Sequence, residues 1–305
     1  MSSERSLPRI GLALGSGASR GWSHIGVIKA LLEEGVEPHV VCGTSVGAMI
    51  GGSYVTGNLE KLENWVLGST RSDVLRFFDI KLSRSGFVNT NRLTWFLNSL
   101  VATEDQRIED TPIKYAAVST DLDTGREVWF THGLVADAVR ASMAMPGLFP
   151  AIRIDQRWLV DGGLVNPVPV SVCHALGADI VIAVNVNAGI VGKRNNARPE
   201  AVSLEDKGVL SNIKQQAKEY SNSIFPNRDK KNEAPGLFHA IANSINIFQD
   251  RITRSRLAGD PADVLLSPKV SHIGMLEFHR AAEAIEAGEL CVRRALAEIH
   301  ALTGI

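Results

Sequence analysis

Short apolar segments alternate with helix-like segments from the start of the chain, and this alternation constrains the fold more than any other feature. The strand-like segments RIGLAL (9–14) and HVVCG (39–43) flank a helical pattern over 22–35, and a second helical run begins at Val46. A strand, a crossing helix and a second strand form a parallel pair that helices cover. The sequence therefore predicts an α/β protein, a three-layer α/β/α fold with a mainly parallel central sheet.

The same alternation continues along the chain, with one interruption. The turn DLDTG joins the strand patterns YAAVS and REVWFT, which predicts a hairpin. Further strands are predicted at 157–161, 179–186 and 263–267, and helices at 59–67, 91–101, 134–144, 168–176, 238–257 and 278–301. The stretch 189–236 mixes charged residues, Asn and Pro with few apolar ones, too few to offset the entropy cost of ordering. We therefore expect one domain over residues 1–305 with a flexible polar insertion at 189–236.

Charge and cysteine content narrow the function classes. Lys and Arg number 32 against 33 Asp and Glu, so no overall basic field attracts nucleic acid. Three cysteines, Cys42, Cys173 and Cys291, form no CxxC pair and have no neighbouring His cluster, which gives no sign of a metal site. The N-terminal apolar run is too short for a secretory signal, and no apolar stretch is long enough to span a membrane. We expect a cytoplasmic protein, with peripheral contact at the inner membrane face left open.

The segment Gly43-Thr44-Ser45-Val46-Gly47 is the strongest sign of chemistry. It follows the apolar strand HVVC and precedes a helical run, which is the strand–turn–helix context of a nucleophile elbow. Gly43 and Gly47 remove side chains that would collide in the sharp turn. A plain turn at a sheet edge is the alternative. Ser45 is the predicted nucleophile, with its hydroxyl exposed on the elbow.

A second glycine-rich segment, Gly15-Ser16-Gly17-Ala18-Ser19-Arg20-Gly21, also lies between a strand and a helix. Its small residues let consecutive backbone N–H groups point into one concavity, where an anion or oxyanion is stabilised. A dinucleotide loop is the competing interpretation. Arg20 stands where that fingerprint needs glycine, and the second strand does not end in an acidic residue, so nucleotide binding is disfavoured.

Ser45 needs a base, and the eight histidines offer no convincing one. Asp161 is the better candidate, because it ends an apolar strand and precedes Gly162 and Gly163. That position predicts a carboxylate exposed at the same carboxyl edge of the sheet as Ser45 and the glycine loop. An ordinary Asp-Gly turn also explains the pattern.

Three ordered motifs, GSGASRG, GTSVG and DGG, resemble those of the patatin-like phospholipases of the bacterial neuropathy-target-esterase type, in particular the small RssA-like group. The likeness extends to RASMAMPGLFP and WLVDGGLVNPVPV, and it covers nearly the whole chain except about 190–236. One departure concerns the glycine loop, where Ser16 and Ala18 replace members of a glycine run that is frequent in the family.

The resemblance implies a patatin-like fold and a Ser-Asp dyad with Ser45 as nucleophile and Asp161 as base, without metal or cofactor. It implies an oxyanion hole at Ser16, Gly17 and Ala18, with the N–H groups of Gly17 and Ala18 as donors. Arg20 is expected to anchor the loop, and Asn166 either to orient the dyad or to shape a turn. The supporting residues are Gly15, Arg20, Gly21, Gly43, Gly47, Gly162, Gly163 and Asn166.

The expected function is hydrolysis of fatty-acyl esters of phospholipids or lysophospholipids. Two alternatives stay open, an acyltransferase using the same acyl-enzyme and a protein-binding regulator without turnover. A homodimer is also left open. The helix predicted at 238–257 carries an apolar stripe at Phe238, Ile241, Ile245, Phe248 and Ile252 and an arginine-rich end. Core or dimer packing is the default for such a stripe, and a lid or a membrane-facing surface is the alternative.

Overall fold

The computed structural model describes residues 7–70, 73, 90–190 and 237–305. Its strands are β1 Ile10–Leu14, β2 Val40–Thr44, β3 Lys114–Asp121, β4 Glu127–Phe130, β5 Ile152–Ile154, β6 Arg157–Asp161, β7 Ile180–Val184 and β8 Val264–Leu266. Its α-helices are α1 Ser23–Glu33, α2 Val46–Val55, α3 Leu59–Gly68, α4 Thr90–Leu100, α5 Val135–Ser142, α6 Val170–Ala175, α7 Leu237–Gly259 and α8 Ala281–Thr303. None of these helices is long and apolar enough to cross a membrane.

All eight strands belong to one sheet in the order β5-β6-β3-β2-β1-β7-β8, with β4 paired to β3. The five strands from β3 to β8 in this order are parallel, whereas β4 and β6 run antiparallel to β3. The mainly parallel sheet and the β3–β4 hairpin predicted from the sequence are confirmed.

Helices cover both faces of the sheet. The side chains of Leu12 and Leu14 belong to the larger core, which includes residues of α1, α2 and α8. Ala13, between them, points to the opposite face, where it joins Val172 and Cys173 of α6 in a second core. The predicted three-layer α/β/α architecture is therefore confirmed.

Two local features differ from the sequence expectation. The strand β5 was not predicted, because its three residues are too few to show an alternating pattern. The glycine loop leads first into a short 3₁₀ helix, Ala18–Trp22, and α1 begins only at Ser23. The predicted insertion falls at 191–236 outside the described residues, and its flexibility and the single-domain organisation stay predictions.

Candidate active site

Ser45 lies in the turn between β2 and α2, with φ 57° and ψ −123°. These angles fall outside the regions that side-chain-bearing residues favour and cost about 1–3 kcal/mol, so the surroundings must hold the turn. A Cβ on Gly43 would lie 2.4 Å from the backbone of Ala48, and one on Gly47 would lie 2.1 Å from the Leu14 carbonyl oxygen. Both glycines are therefore required by close backbone approach. Only 6% of Ser45 is exposed, so its hydroxyl is less open than the sequence suggested.

Asp161 meets Ser45 from the opposite direction. Thr44, the last residue of β2, pairs with Val118 of β3, and Asp161, the last residue of β6, pairs with the adjacent Ser119. The Ser45 Oγ donates a hydrogen bond of 2.6 Å to Asp161 Oδ2. The predicted proximity is found, but the reason given for it was wrong. Because β6 is antiparallel to β3, Asp161 is brought to this point by register and not by a shared carboxyl edge.

The carboxylate of Asp161 is buried, with 1% of the residue exposed, whereas the sequence predicted an exposed group. Its Oδ1 accepts a 2.7 Å hydrogen bond from the Gly163 N–H. Burial raises the pKa of Asp161 to about 6, and the hydrogen bonds from Ser45 and Gly163 oppose that rise. A carboxyl with this pKa is ionised at neutral pH and basic enough to accept a proton from a hydroxyl in a reaction.

The glycine loop offers two backbone donors. The N–H of Ser16 donates to Pro167 O and that of Arg20 to Gly17 O, whereas within the described ranges the N–H groups of Gly17 and Ala18 have no acceptor. Ala18 lines the same pocket as Ser45 and has a positive φ of 50°. Of the three residues expected at the oxyanion hole, Gly17 and Ala18 thus have free donors, and the Ser16 N–H is already used.

The remaining motif glycines all sit where a Cβ would collide. The carbonyl oxygen of Val184 would lie 2.6 Å from a Cβ on Gly15, and that of Val118 would lie 2.2 Å from one on Gly162. Side chains stand in the way at the other two, Val46 Cγ1 at 2.2 Å from a Cβ on Gly21 and Gln249 Nε2 at 2.4 Å from one on Gly163.

Arg20 is buried, 3% exposed, and contacts the loop. Its Nε donates to the Gly17 carbonyl at 3.3 Å, and its Nη2 donates to Asn246 Oδ1 of α7 at 3.0 Å. Burial lowers the pKa of the guanidinium to about 10, which leaves it charged at neutral pH. A second bridge runs from Asn187 Nδ2, which donates to both Ser16 O and Gln249 Oε1. Sequence reasoning missed this support from α7, because its partners lie far apart in the chain.

Asn166 does not contact the dyad through its side chain. Its Nδ2 donates to Glu127 Oε1 at 2.6 Å, and its backbone carbonyl accepts from Thr44 Oγ1 at 2.8 Å. The residue therefore fixes the end of β2, just before Ser45, by its backbone.

Ser142 is a site residue that sequence reasoning did not single out. Its Oγ accepts a 2.8 Å hydrogen bond from the Ser45 N–H and donates one of 2.5 Å to Val118 O. Ser142 ends α5 and is fully buried. Ser142 therefore connects the turn at Ser45 to β3, the strand with which Asp161 is paired. The only sequence feature that pointed to Ser142 was its place in RASMAMPGLFP, one of the segments that carry the family resemblance.

The described histidines make no hydrogen bond to Ser45 or Asp161. His24 is fully buried and shares a 2.8 Å hydrogen bond between its Nε2 and the Gly15 carbonyl. Burial lowers its pKa to about 4, so the ring is neutral at physiological pH. His24 thus supports the glycine loop and does not occupy the position of a triad base.

An apolar pocket opens above Ser45. It contains about 730 Å³ of empty space, including its mouth. Among the described residues that line it, Ser45 and Ser69 have hydroxyl side chains and the others are apolar or aromatic. Trp65 and Phe96 form an edge-to-face pair in its wall, with ring centroids 5.0 Å apart. Trp22, Met49, Leu148 and Phe149 also line it. Such a lining suits a hydrocarbon chain.

Comparisons with known proteins find a matching family and several similar chains. A sequence model described as patatin-like phospholipase matches residues 12–174, more than half of the chain. An uncharacterized NTE family protein of Mycobacterium tuberculosis is 34% identical over 95% of this chain and 92% of its own length. Lysophospholipase NTE1 of Yarrowia lipolytica is 36% identical over 59% of this chain and 13% of its own length. VipD from Legionella pneumophila matches with a TM-score of 0.39 and 14% identity over 98% of this chain and 82% of that one, a likeness too weak to carry an argument. On the family match and the mycobacterial relative, the chain belongs to the patatin-like phospholipase family, a family of lipid esterases.

Proposed function

We propose that the protein hydrolyses fatty-acyl esters of phospholipids or lysophospholipids with Ser45 as nucleophile and Asp161 as general base. One observation carries the proposal. The Ser45 hydroxyl donates a 2.6 Å hydrogen bond to a buried carboxylate at the base of an apolar pocket. The lysophospholipase name of the Yarrowia relative adds support for the substrate class.

In the first half-reaction the Ser45 Oγ attacks the ester carbonyl carbon while its proton passes to Asp161 Oδ2. The carbonyl π pair moves to oxygen, and the N–H groups of Gly17 and Ala18 stabilise the resulting oxyanion. The oxyanion then re-forms the carbonyl and the C–O bond to the alcohol breaks. Asp161 returns the proton to the departing oxygen, which leaves an acyl-serine.

In the second half-reaction water takes the place of the alcohol. Asp161 accepts a proton from the attacking water, and the acyl–Oγ bond breaks through a second oxyanion. Asp161 returns this proton to the Ser45 Oγ, and the fatty acid is released. The Gly163 N–H keeps Asp161 Oδ1 occupied throughout, so Oδ2 is the oxygen that faces the reaction.

The pocket favours a long acyl chain over a small polar one. Its walls are formed by Trp, Phe, Met and Leu side chains, which offer few hydrogen-bonding partners to a polar substituent of the acyl chain. The polar part of the substrate then lies toward the pocket mouth.

A fluorophosphonate probe tests the nucleophile directly. We expect labelling of Ser45, located by mass mapping, and release of fatty acid from lysophosphatidylcholine by the same preparation. Ser45→Ala should lose both, and Ser267→Ala, which changes an exposed serine directly after β8, should lose neither. Probe labelling elsewhere together with unchanged turnover in Ser45→Ala would refute the assignment.

A further inference from the structure

The helix α7 buries several polar residues and exposes several apolar ones, whereas the buried side of a helix in a water-soluble domain is usually apolar. Its buried side includes Asn246, Gln249 and Thr253, each no more than 9% exposed. On its outer side Ile247 is 46% exposed and Phe248 is 58% exposed. Of the stripe predicted from the sequence, only Ile245 is well buried, and the side chain of Phe238 lies outside the described residues. Packing against the described part of the chain therefore does not account for the exposed side chains of Ile241, Ile247 and Phe248.

The charged side chains of α7 are also unevenly distributed, since Arg251 and Arg254 are exposed and Asp250 is buried. The only carboxylate of α7, Asp250, is 7% exposed and accepts a hydrogen bond from Arg254. Arg251 is exposed, and the side chain of Arg254 is 65% exposed despite that bond. We define the outer face of α7 as Ile241, Ile247, Phe248, Arg251 and Arg254. This face combines apolar side chains with positive charge and carries no exposed acid.

The outer face lies on the helix that borders the candidate site. On the inner side of α7, Ile245 packs with Met145 and Leu148, and both of these line the pocket. One residue along, Asn246 accepts a hydrogen bond from Arg20, which also holds the Gly17 carbonyl of the glycine loop. A surface that binds α7 from outside would thus be separated from the pocket only by α7 and the side chains that line the pocket wall.

We propose that the outer face of α7 docks the protein on an anionic lipid membrane. Ile247 and Phe248 enter the boundary between head groups and acyl chains, and Arg251 and Arg254 pair with lipid phosphates. The charge of the face selects an anionic membrane over a neutral one. The proposal rests on the proposed function only in that the docked membrane supplies the ester substrate.

Vesicle sedimentation with the full chain tests the docking surface. Wild type should bind vesicles of phosphatidylcholine mixed with phosphatidylglycerol more tightly than vesicles of phosphatidylcholine alone. Phe248→Ser should weaken binding to both by about tenfold or more, through loss of buried apolar area. Arg251→Gln and Arg254→Gln should each weaken binding about fivefold on the anionic vesicles and much less on the neutral ones. Leu290→Ser is the matched control, because Leu290 is a comparably exposed apolar residue on α8.

Turnover of a soluble short-chain ester is measured on every variant and should not change. Vesicle binding that is equal in wild type, Phe248→Ser and the arginine variants would overturn the docking surface. A wild-type dimer that Phe248→Ser dissociates, with vesicle binding unaffected, would also overturn it and assign the face to a second copy. Absence of ester turnover in wild type would refute the proposed function, while the vesicle isotherms would still decide the docking surface.

Discussion

Ser45 directly follows β2 and Asp161 ends β6, and these two strands approach one point from opposite directions. The two residues are held there by different means. The Ser45 turn is recognisable in its own segment, since Gly43 and Gly47 allow the backbone to approach Ala48 and Leu14 closely around a residue with φ 57°. Asp161 has ordinary extended backbone angles, φ −50° and ψ 131°, and owes its place to pairing with Ser119 on a strand some forty residues earlier. The turn that carries Ser45 thus has a local glycine pattern and is further held by Leu14 and Ser142, whereas Asp161 is positioned by strand register.

The largest expected effect comes from removing either half. Asp161→Asn keeps the shape of the side chain but removes the base, so kcat for ester hydrolysis should fall on the order of 10⁴-fold or more, close to the loss in Ser45→Ala. His132→Ala is a suitable control, since His132 is exposed and contacts Thr131. Near-normal turnover in folded Asp161→Asn would remove Asp161 from the mechanism.

A smaller effect is expected at the residue that joins the two halves. Ser142→Ala deletes the acceptor for the Ser45 N–H and the donor to Val118 O. The elbow then shifts relative to β3, and a misplacement of about 1 Å costs roughly 10²-fold in rate. The loss should appear in kcat, with KM almost unchanged, because Ser142 does not line the pocket. Ser53→Ala is the control, because Ser53 is also buried and its hydroxyl also donates to a backbone carbonyl. If both variants lost the same factor in kcat, the loss would be due to packing in general and not to the contact with Ser45.

The difference between Ser45 and Asp161 also explains which parts of the fold and of the candidate site could be predicted from the sequence. The segments β1–α1 and β2–α2 show their periodicity and glycines within a few residues, so the glycine loop and the Ser45 elbow were predictable from local pattern. The direction of β6 was not, because the three-residue β5 that turns the chain back has no recognisable pattern. The partners of Arg20 and Asn187 on α7 could not be predicted either, since no local pattern pairs residues so far apart in sequence.

Burial of Asp161 changes how a pH profile must be interpreted. An ordinary carboxylate base would give an acidic limb well below that of a histidine, but burial raises the pKa of Asp161 to about 6. Because the base must be ionised, kcat/KM should fall about tenfold per pH unit below that value. Soluble-ester assays across the acidic range check this. Full activity retained down to the ordinary pKa of an aspartate would show that the base is not buried as described.

The smallest expected effect is on the free energy of unfolding. We expect a pH-dependent gain when Asp161 is replaced and no comparable gain when Ser45 is replaced. The pKa of Asp161 is raised from 3.8 to about 6 in the folded protein, so folding takes up a proton in that window. The stability associated with the protonated carboxyl is present below the lower value and is lost as pH rises through the upper one.

Asp161→Asn has no such loss, because its amide is neutral at every pH. At pH 8 the variant should gain up to about 3 kcal/mol in free energy of unfolding relative to wild type, a rise of several degrees in Tm, and at pH 4 the gain should fall to about 0.5 kcal/mol. Ser45→Ala should show no comparable pH-dependent gain, because it leaves the buried carboxylate in place and removes one of its hydrogen bonds. Thermal melts of the three proteins at both pH values measure the difference. A gain in Asp161→Asn that is the same at pH 4 and pH 8 would mean that charge burial at Asp161 does not oppose folding.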